Sequence, residues 1–237
     1  MAISTEQQRA LARFGYGPSL AEAAPVARVT PGRALSQPDP VEERYAPVPL
    51  EHRLAVFQDY RAAQAARKQG ARDAEAQLRD GRTAIRETSL ADLKVMLLRP
   101  MLSAKPLRER LVAFWADHFT VVVNARPLVL LAPDMIDTAI RPHITGRFED
   151  MLLAVMRHPA MLLSLNQAMA AGPNSPAAKR RNIGLNENLA RELIELHSLG
   201  VGGRYTQSDV RDLALALTGL SVSPEQGFVY RAGLAEP

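Results

Sequence analysis

The stretch Gly184 to Leu220, GLNENLARELIELHSLGVGGRYTQSDVRDLALALTGL, decides the fold class, because it reads as two capped helices joined by a glycine-rich turn. Projected at about 100° per residue, the segment Glu187 to Leu199 gathers Glu187, Asn188, Arg191, Glu192 and Glu195 on one polar face. Leu189, Ala190, Leu193, Ile194 and Leu196 fill the other, and His197 falls among them rather than with the charges. Glu187 with Arg191, and Arg191 with Glu195, are opposite charges one turn apart, each worth about 0.2 to 0.5 kcal/mol on a solvated face. Asn186 suits the N-cap, and Gly200, Gly202 and Gly203 end the helix. Thr206 and Asp209 open the next helix as a T-x-x-D capping box, and Gly219 closes it. A DNA-reading helix-turn-helix is disfavoured, since Val210, Leu213, Ala214, Leu215 and Leu217 make the second helix largely apolar, as packing requires.

Pro106 suits the first turn of a second informative helix. Leu107, Leu111, Phe114, Trp115 and His118 share one face, with Glu109, Arg110, Ala113, Ala116 and Asp117 opposite. His118 is therefore expected to point inward, one turn from the only tryptophan, as His197 does from its own helix. Two readings stand side by side. A buried neutral imidazole can simply bond a carbonyl or carboxylate, or the two rings can form a ligand or acid–base site. The catalytic candidates are His118, His197, Glu192 and Glu195; the metal-ligand candidates are His118, His197 and Glu192. Neither glutamate has a histidine three residues later, so the carboxylate-bridged metal pair of di-iron bundles is disfavoured. His158, before Pro159, is expected to cap the preceding helix as a cation; His143 follows Arg141-Pro142, and His52 is expected to be exposed. Lys179-Arg180-Arg181 makes a basic tip that either holds an anion or is solvated.

Asn186 to Leu220 is similar to the signature of the bacterial domain of unknown function 1800 family. ARFGYGP at Ala12 to Pro18 resembles the opening of its proteobacterial branch, and PLRERLVAFWADHFTV at Pro106 to Val121 its tryptophan–histidine helix. Ile140 to Gln167 and the GPNS at Gly172 to Ser175 follow in the expected order. Leu220 stands where the family commonly has tryptophan, and Asn166 where it has aspartate. The resemblance implies an amino-terminal portion of a longer helical protein. It also implies a protein partner of the domain of unknown function 1501 family, whose genes commonly lie alongside. It brings no activity, cofactor or catalytic residue with it.

With 237 residues, 47% hydrophobic and 23% charged, the chain can bury a sizeable core. Aromatics are only 5%, so aliphatic residues and methionine must fill it, which favours helix over strand. The net charge of +4 comes from interspersed charges, mostly arginine against acid, and no basic cluster with aromatics suggests a nucleic-acid groove. The absence of cysteine excludes disulfides, iron–sulfur clusters and thiolate chemistry. No Walker, dinucleotide-glycine or G-x-S-x-G pattern occurs. No apolar run matches a membrane span or signal peptide, so a cytoplasmic location is the default, with export open if translation starts upstream.

The expected fold is all-α, a multi-helix orthogonal bundle with helices at 106–121, 147–168, 187–199 and 207–218 in the core. Residues 1–50 carry a short helix and a proline-rich arm from Pro25 to Pro49. Residues 51–100 carry a long, charged, solvent-facing helix from Glu51 to about Arg79, weakened at Gly70. A second helix there spans Ser89 to Leu98, opened by Ser89 and Asp92 and ended by Pro100. The core domain is 101–223, and 224–237 is a tail. Two functions remain: metal-dependent or redox chemistry at the core histidines, or a noncatalytic helical partner protein. In the second, the arc Glu187, Arg191 and Glu195 and the arm before Pro49 are the contact surfaces.

Overall fold

Helices dominate the chain in the computed structural model, which describes residues 5–16, 35, 39–181 and 183–237. Most of the expected arm from Pro25 to Pro49 lies outside the described residues. In chain order the helices are α1 (Thr5–Phe14), α2 (Pro40–Arg44), α3 (Leu50–Lys68), α4 (Ala74–Leu102), α5 (Pro106–His118) and α6 (Arg126–Met135). After a π-turn at Ile136–Ile140 and a 3-10 turn at Arg141–His143 come α7 (Phe148–Arg157), α8 (Pro159–Ser164), α9 (Pro176–Arg180), α10 (Asn188–Glu195) and α11 (Gln207–Ala216). No helix among the described residues is long and apolar enough to cross a membrane.

Several expected boundaries move. The charged helix does not project to Arg79: Gly70 takes φ +74°, a left-handed conformation only glycine adopts cheaply, and the chain turns back as α4. The thin apolar stripes of α3 and α4 then face each other, burying Val56, Tyr60, Ala63, Leu78 and Ile85 with Leu130. Nor does a helix start at Ser89 or stop at Pro100, because α4 runs through both. Ser89 returns its hydroxyl to the Ile85 carbonyl at 2.8 Å instead of capping, and Asp92 is buried. The expected 147–168 helix breaks at His158, whose extended φ/ψ precedes Pro159. Thr206 and Asp209 form the expected capping box.

The expected tail is structured. Leu220–Ser223 pairs antiparallel with Gly227–Tyr230 as strands β1 and β2, Leu220 opposite Tyr230 and Ser223 opposite Gly227. Branched and aromatic side chains at Val222, Phe228, Val229 and Tyr230 suit a pleated surface. The chain beyond clasps the GPNS loop: the Gly172 N–H donates to the Leu234 carbonyl at 2.9 Å, and the Asn174 N–H to Glu236 Oε2 at 3.0 Å. Gly172 is glycine because Glu236 backbone lies 2.6 Å from where a Cβ would stand.

The main core joins Phe119, Leu128, Met135, Ile140, Val155, Met161 and Leu189. Two charged groups are buried with it. Arg53, 1% exposed, grips Asp92 with both terminal nitrogens at 2.6 and 2.7 Å, and also donates to the Val48 carbonyl at 2.9 Å and the Leu130 carbonyl at 2.7 Å. Asp134 lies 3.6 Å from its Nε and accepts from His158 Nε2 at 3.0 Å. Arg141 grips Glu109 with two bonds of 2.6 and 3.0 Å, and reaches Asp137 at 3.1 Å and Glu42 at 3.2 Å. Arg99 pairs with Asp137, and Arg108 with Glu42.

Removing one partner of a buried pair strands the other charge, so Asp92→Ala is expected to destabilise the fold by about 3 kcal/mol in urea denaturation, whereas exposed Asp59→Ala stays near zero. Gly172→Ala is expected to cost about 1 to 3 kcal/mol by forcing the clasp open, and protease cleavage should then appear first after residue 231.

Candidate functional site

Helix α5 does not bury the face its hydrophobicity suggests. Glu109 is 2% exposed and Phe114 59%, because Arg141 draws the carboxylate inward. The aromatic edge of α5 instead borders the surface, where Trp115, His118 and Phe119 meet Phe148 from the start of α7 and His197 from the turn after α10. The Trp115 ring centroid lies 5.4 Å from His118 and 5.5 Å from Phe148; Phe119 lies 4.6 Å from His118 and 5.1 Å from His197.

His118 and His197, predicted on separate apolar stripes, are brought together with ring centroids 5.4 Å apart and planes 69° apart. His197 is buried and His118 half-buried. Helix α10 stops at Glu195, and the His197 N–H reaches back to the Glu192 carbonyl at 3.1 Å, so a wound-down turn rather than the helix itself aims this imidazole. His118 Nε2 and His197 Nδ1 are buried without a hydrogen-bond partner. Burial pushes the His197 imidazole down from 6.5 to about 4, with the neighbouring His118 adding to the effect.

The glutamates do not join them. Among the described residues, no group of three or more histidine, cysteine or acidic side chains is placed to hold a metal ion, so Glu192 does not complete a three-ligand set. Glu195 binds Arg191 at 3.1 Å. Arg191 also donates to Gln207 at 2.9 Å, whose amide donates to Glu187 at 2.7 Å. The polar arc expected to face a partner thus clamps α10 to α11.

The other histidines are structural in geometry. His158 turns away from the end of α7: its Nδ1 accepts from the Ala160 N–H at 3.2 Å, capping α8, and its Nε2 donates to Asp134. His143 Nδ1 lies 3.0 Å from the Ala139 carbonyl, and His52 is exposed as expected. At Arg141, burial alone would lower the guanidinium, but its bonds to Glu109, with Asp137 and Glu42 behind, raise it above its ordinary value.

Sequence reasoning missed two contributors. Phe119 and Phe148 wall the pair, and only their position beside recognised motifs hinted at it. Asn186 is not the N-cap of α10, which is Glu187, but stands one residue before it: its Oδ1 accepts from the Asn188 N–H at 2.9 Å, and its amide donates to the carbonyls of Leu165 and Asn166 at 3.0 and 3.2 Å. Asn166 sits at φ +57°, the left-handed region, where asparagine is better tolerated than most residues. The asparagine at the position where aspartate is common therefore forms a corner that ties the 160s to α10.

The fold and this site define a predominantly all-α protein in which a buried and a half-buried histidine meet among aromatic rings. One protein family, described as "Protein of unknown function (DUF1800)", matches residues 9–237, and the chain belongs to it. No curated protein and no solved structure matches the chain.

The depressed value at His197 makes stability pH-dependent. Above about pH 6.5 neither the folded nor the unfolded chain protonates this ring; between 6.5 and 4 only the unfolded chain does, so stability is lost as pH falls through that window. The native protein is expected to lose about 3 kcal/mol more than His197→Asn between pH 7 and 4, read by urea denaturation at each pH. Parallel curves would show that the imidazole is hydrated in the fold.

Proposed function

We propose that this chain is a metal-dependent protein whose chemistry centres on His118 and His197. The observation that carries the reading is the juxtaposition of two imidazoles, each with a buried and unpartnered ring nitrogen. Each such nitrogen costs about 1 to 3 kcal/mol when left without a partner, and an ion taking both lone pairs offsets that cost. Two nitrogens on one ion lie within about 4.2 Å, twice a bond of about 2.1 Å. Ring centroids 5.4 Å apart are compatible with that separation.

Two neutral donors with no carboxylate favour an ion of low charge and low coordination number. Desolvation rises with the square of the charge, so a divalent ion pays about four times the penalty of a monovalent one. Imidazole suits copper and zinc, and zinc prefers four ligands, so monovalent copper is the better match. When bound, copper supplies one-electron chemistry. The chain's own part is to keep the His197 imidazole neutral by burial and to exclude water from the pair with Trp115, Phe119 and Phe148.

The test is an anaerobic titration with monovalent copper against a chromophoric chelator, with zinc in parallel. Emission from Trp115, 5.4 Å from the His118 ring, serves as reporter. One equivalent of copper is expected to quench it, with affinity falling more than about tenfold in His118→Ala and in His197→Ala. Unchanged affinity in Glu192→Gln leaves a two-histidine site; a loss makes that carboxylate a third ligand. No metal bound, or equal binding by the histidine variants, refutes the proposal.

A second reading, the noncatalytic partner protein, is favoured by one face of α4. Leu90, Leu93, Leu97 and Met101 recur at helical spacing and are 56, 50, 55 and 70% exposed. With the polar arc engaged internally, this face is the contact surface for the partner the resemblance implies, of the domain of unknown function 1501 family. Co-elution after co-expression should be lost in Leu97→Glu and kept in Glu195→Arg. Retention in Leu97→Glu would exclude this face.

A further inference from the structure

The basic run Lys179-Arg180-Arg181 plays no part in the histidine site, yet the fold sets it on a groove of its own. Arg180 and Arg181, at and just past the end of α9, and Arg231, just past β2, all line that groove. Leu163, Met169 and Leu234 help form an apolar floor, in a groove of about 460 Å³. No carboxylate lines it among the described residues. The α9 segment is tied to the segment after β2 by the Ala177 N–H donating to the Gly233 carbonyl at 2.9 Å, and the Arg231 N–H is anchored on the Gly219 carbonyl at 2.8 Å. The two segments that carry the three guanidiniums are therefore held in a fixed relation before any ligand arrives.

These arginines differ from the buried ones that hold the architecture in what they touch. Arg53, Arg99, Arg108 and Arg141 are all paired with acids inside the fold. At the groove Arg231 bonds the Val222 carbonyl at 3.3 Å, with Glu225 within range of its field, and none of the three forms an ion pair among the described residues. Unpaired guanidiniums over an apolar floor match one ligand chemistry. Guanidinium favours carboxylate and phosphate oxygens, the floor favours hydrocarbon, and the volume falls in the usual range for small-molecule sites, about 300 to 1,000 Å³.

We infer that this groove binds an anionic amphiphile, a molecule with a carboxylate or phosphate head and an aliphatic tail. The site is independent of the histidine pair and stands or falls apart from it.

Calorimetric titration of the full chain with octyl phosphate, octanoate, inorganic phosphate and octanol tests this. At least one of the two anionic amphiphiles should bind, and the tighter of them identifies the head group. Phosphate alone and octanol should each bind more than about tenfold more weakly. Arg180→Glu/Arg231→Glu should lower amphiphile affinity by more than about tenfold, Arg181→Gln by less, and His197→Ala should leave it unchanged. Circular dichroism checks that the variants are folded; their arginines are exposed, so the helical signal should persist. If the double variant fails to fold, Arg181→Gln decides alone, and unchanged affinity counts against the site. Failure of both amphiphiles to bind, equal binding of free phosphate or of octanol, or unchanged affinity in the charge-reversed variant overturns the inference.

Discussion

Arg53 lies where four segments of chain meet, and a guanidinium taken wholly out of water has to find acceptors on every side. It finds the Val48 carbonyl ahead of its own helix, both oxygens of Asp92 on α4, and the Leu130 carbonyl on α6, with Asp134 close by. Apolar side chains can slide over one another at little cost, but bonds of 2.6 to 2.9 Å with defined directions cannot. The α3–α4 hairpin is thereby locked to α6 in one register. Through Asp134 the same contact reaches His158, whose ring caps α8.

From α8 the positioning continues to the candidate site. Past Ser164 the chain turns through the left-handed Asn166, and Asn186 bonds the carbonyls on that corner just ahead of α10. At its far end that helix unwinds and delivers His197. On the other side of the pair, Glu109 sets the rotation of α5. His118 is nine residues further on, about 180° around the helix, so drawing Glu109 inward to Arg141 turns His118 towards His197. Two buried ionic clusters thus orient two imidazoles that touch neither of them.

The same contrast separates the charged groups by role. Arginines that hold the architecture are paired and buried, those at the groove are unpaired and exposed, and His197 sits among rings where charge is disfavoured. A positive group facing acids, a positive group facing solvent and a neutral base facing aromatics are three different chemical environments in one small helical protein. The first suits cohesion, the second anion recognition and the third lone-pair donation.

Periodicity and caps marked most of the helices, the Thr206–Asp209 box and His118 and His197 as candidate residues, because those features depend on residues within a turn or two of each other; the burial of each ring was decided by Arg141 turning α5 and by the unwound turn after α10. Gly70 was legible as a weak point but not as a reversal, since the turn is completed by packing of α3 on α4. The inward turn of Glu109, the tie of the His158 ring to Asp134 and the clamp at Arg191 were not legible, because each is decided by a partner 32, 24 or 16 residues away in the chain. The hairpin at 220–230 was missed for a related reason: four-residue strands carry too little pattern to stand out, and their pairing is stabilised by the clasp onto the GPNS loop. Local sequence thus chose the elements and the residue types of the site. Only the tertiary structure chose which charges meet, and that choice set the distance between the two imidazoles, because a buried charge constrains direction as hydrophobic burial does not.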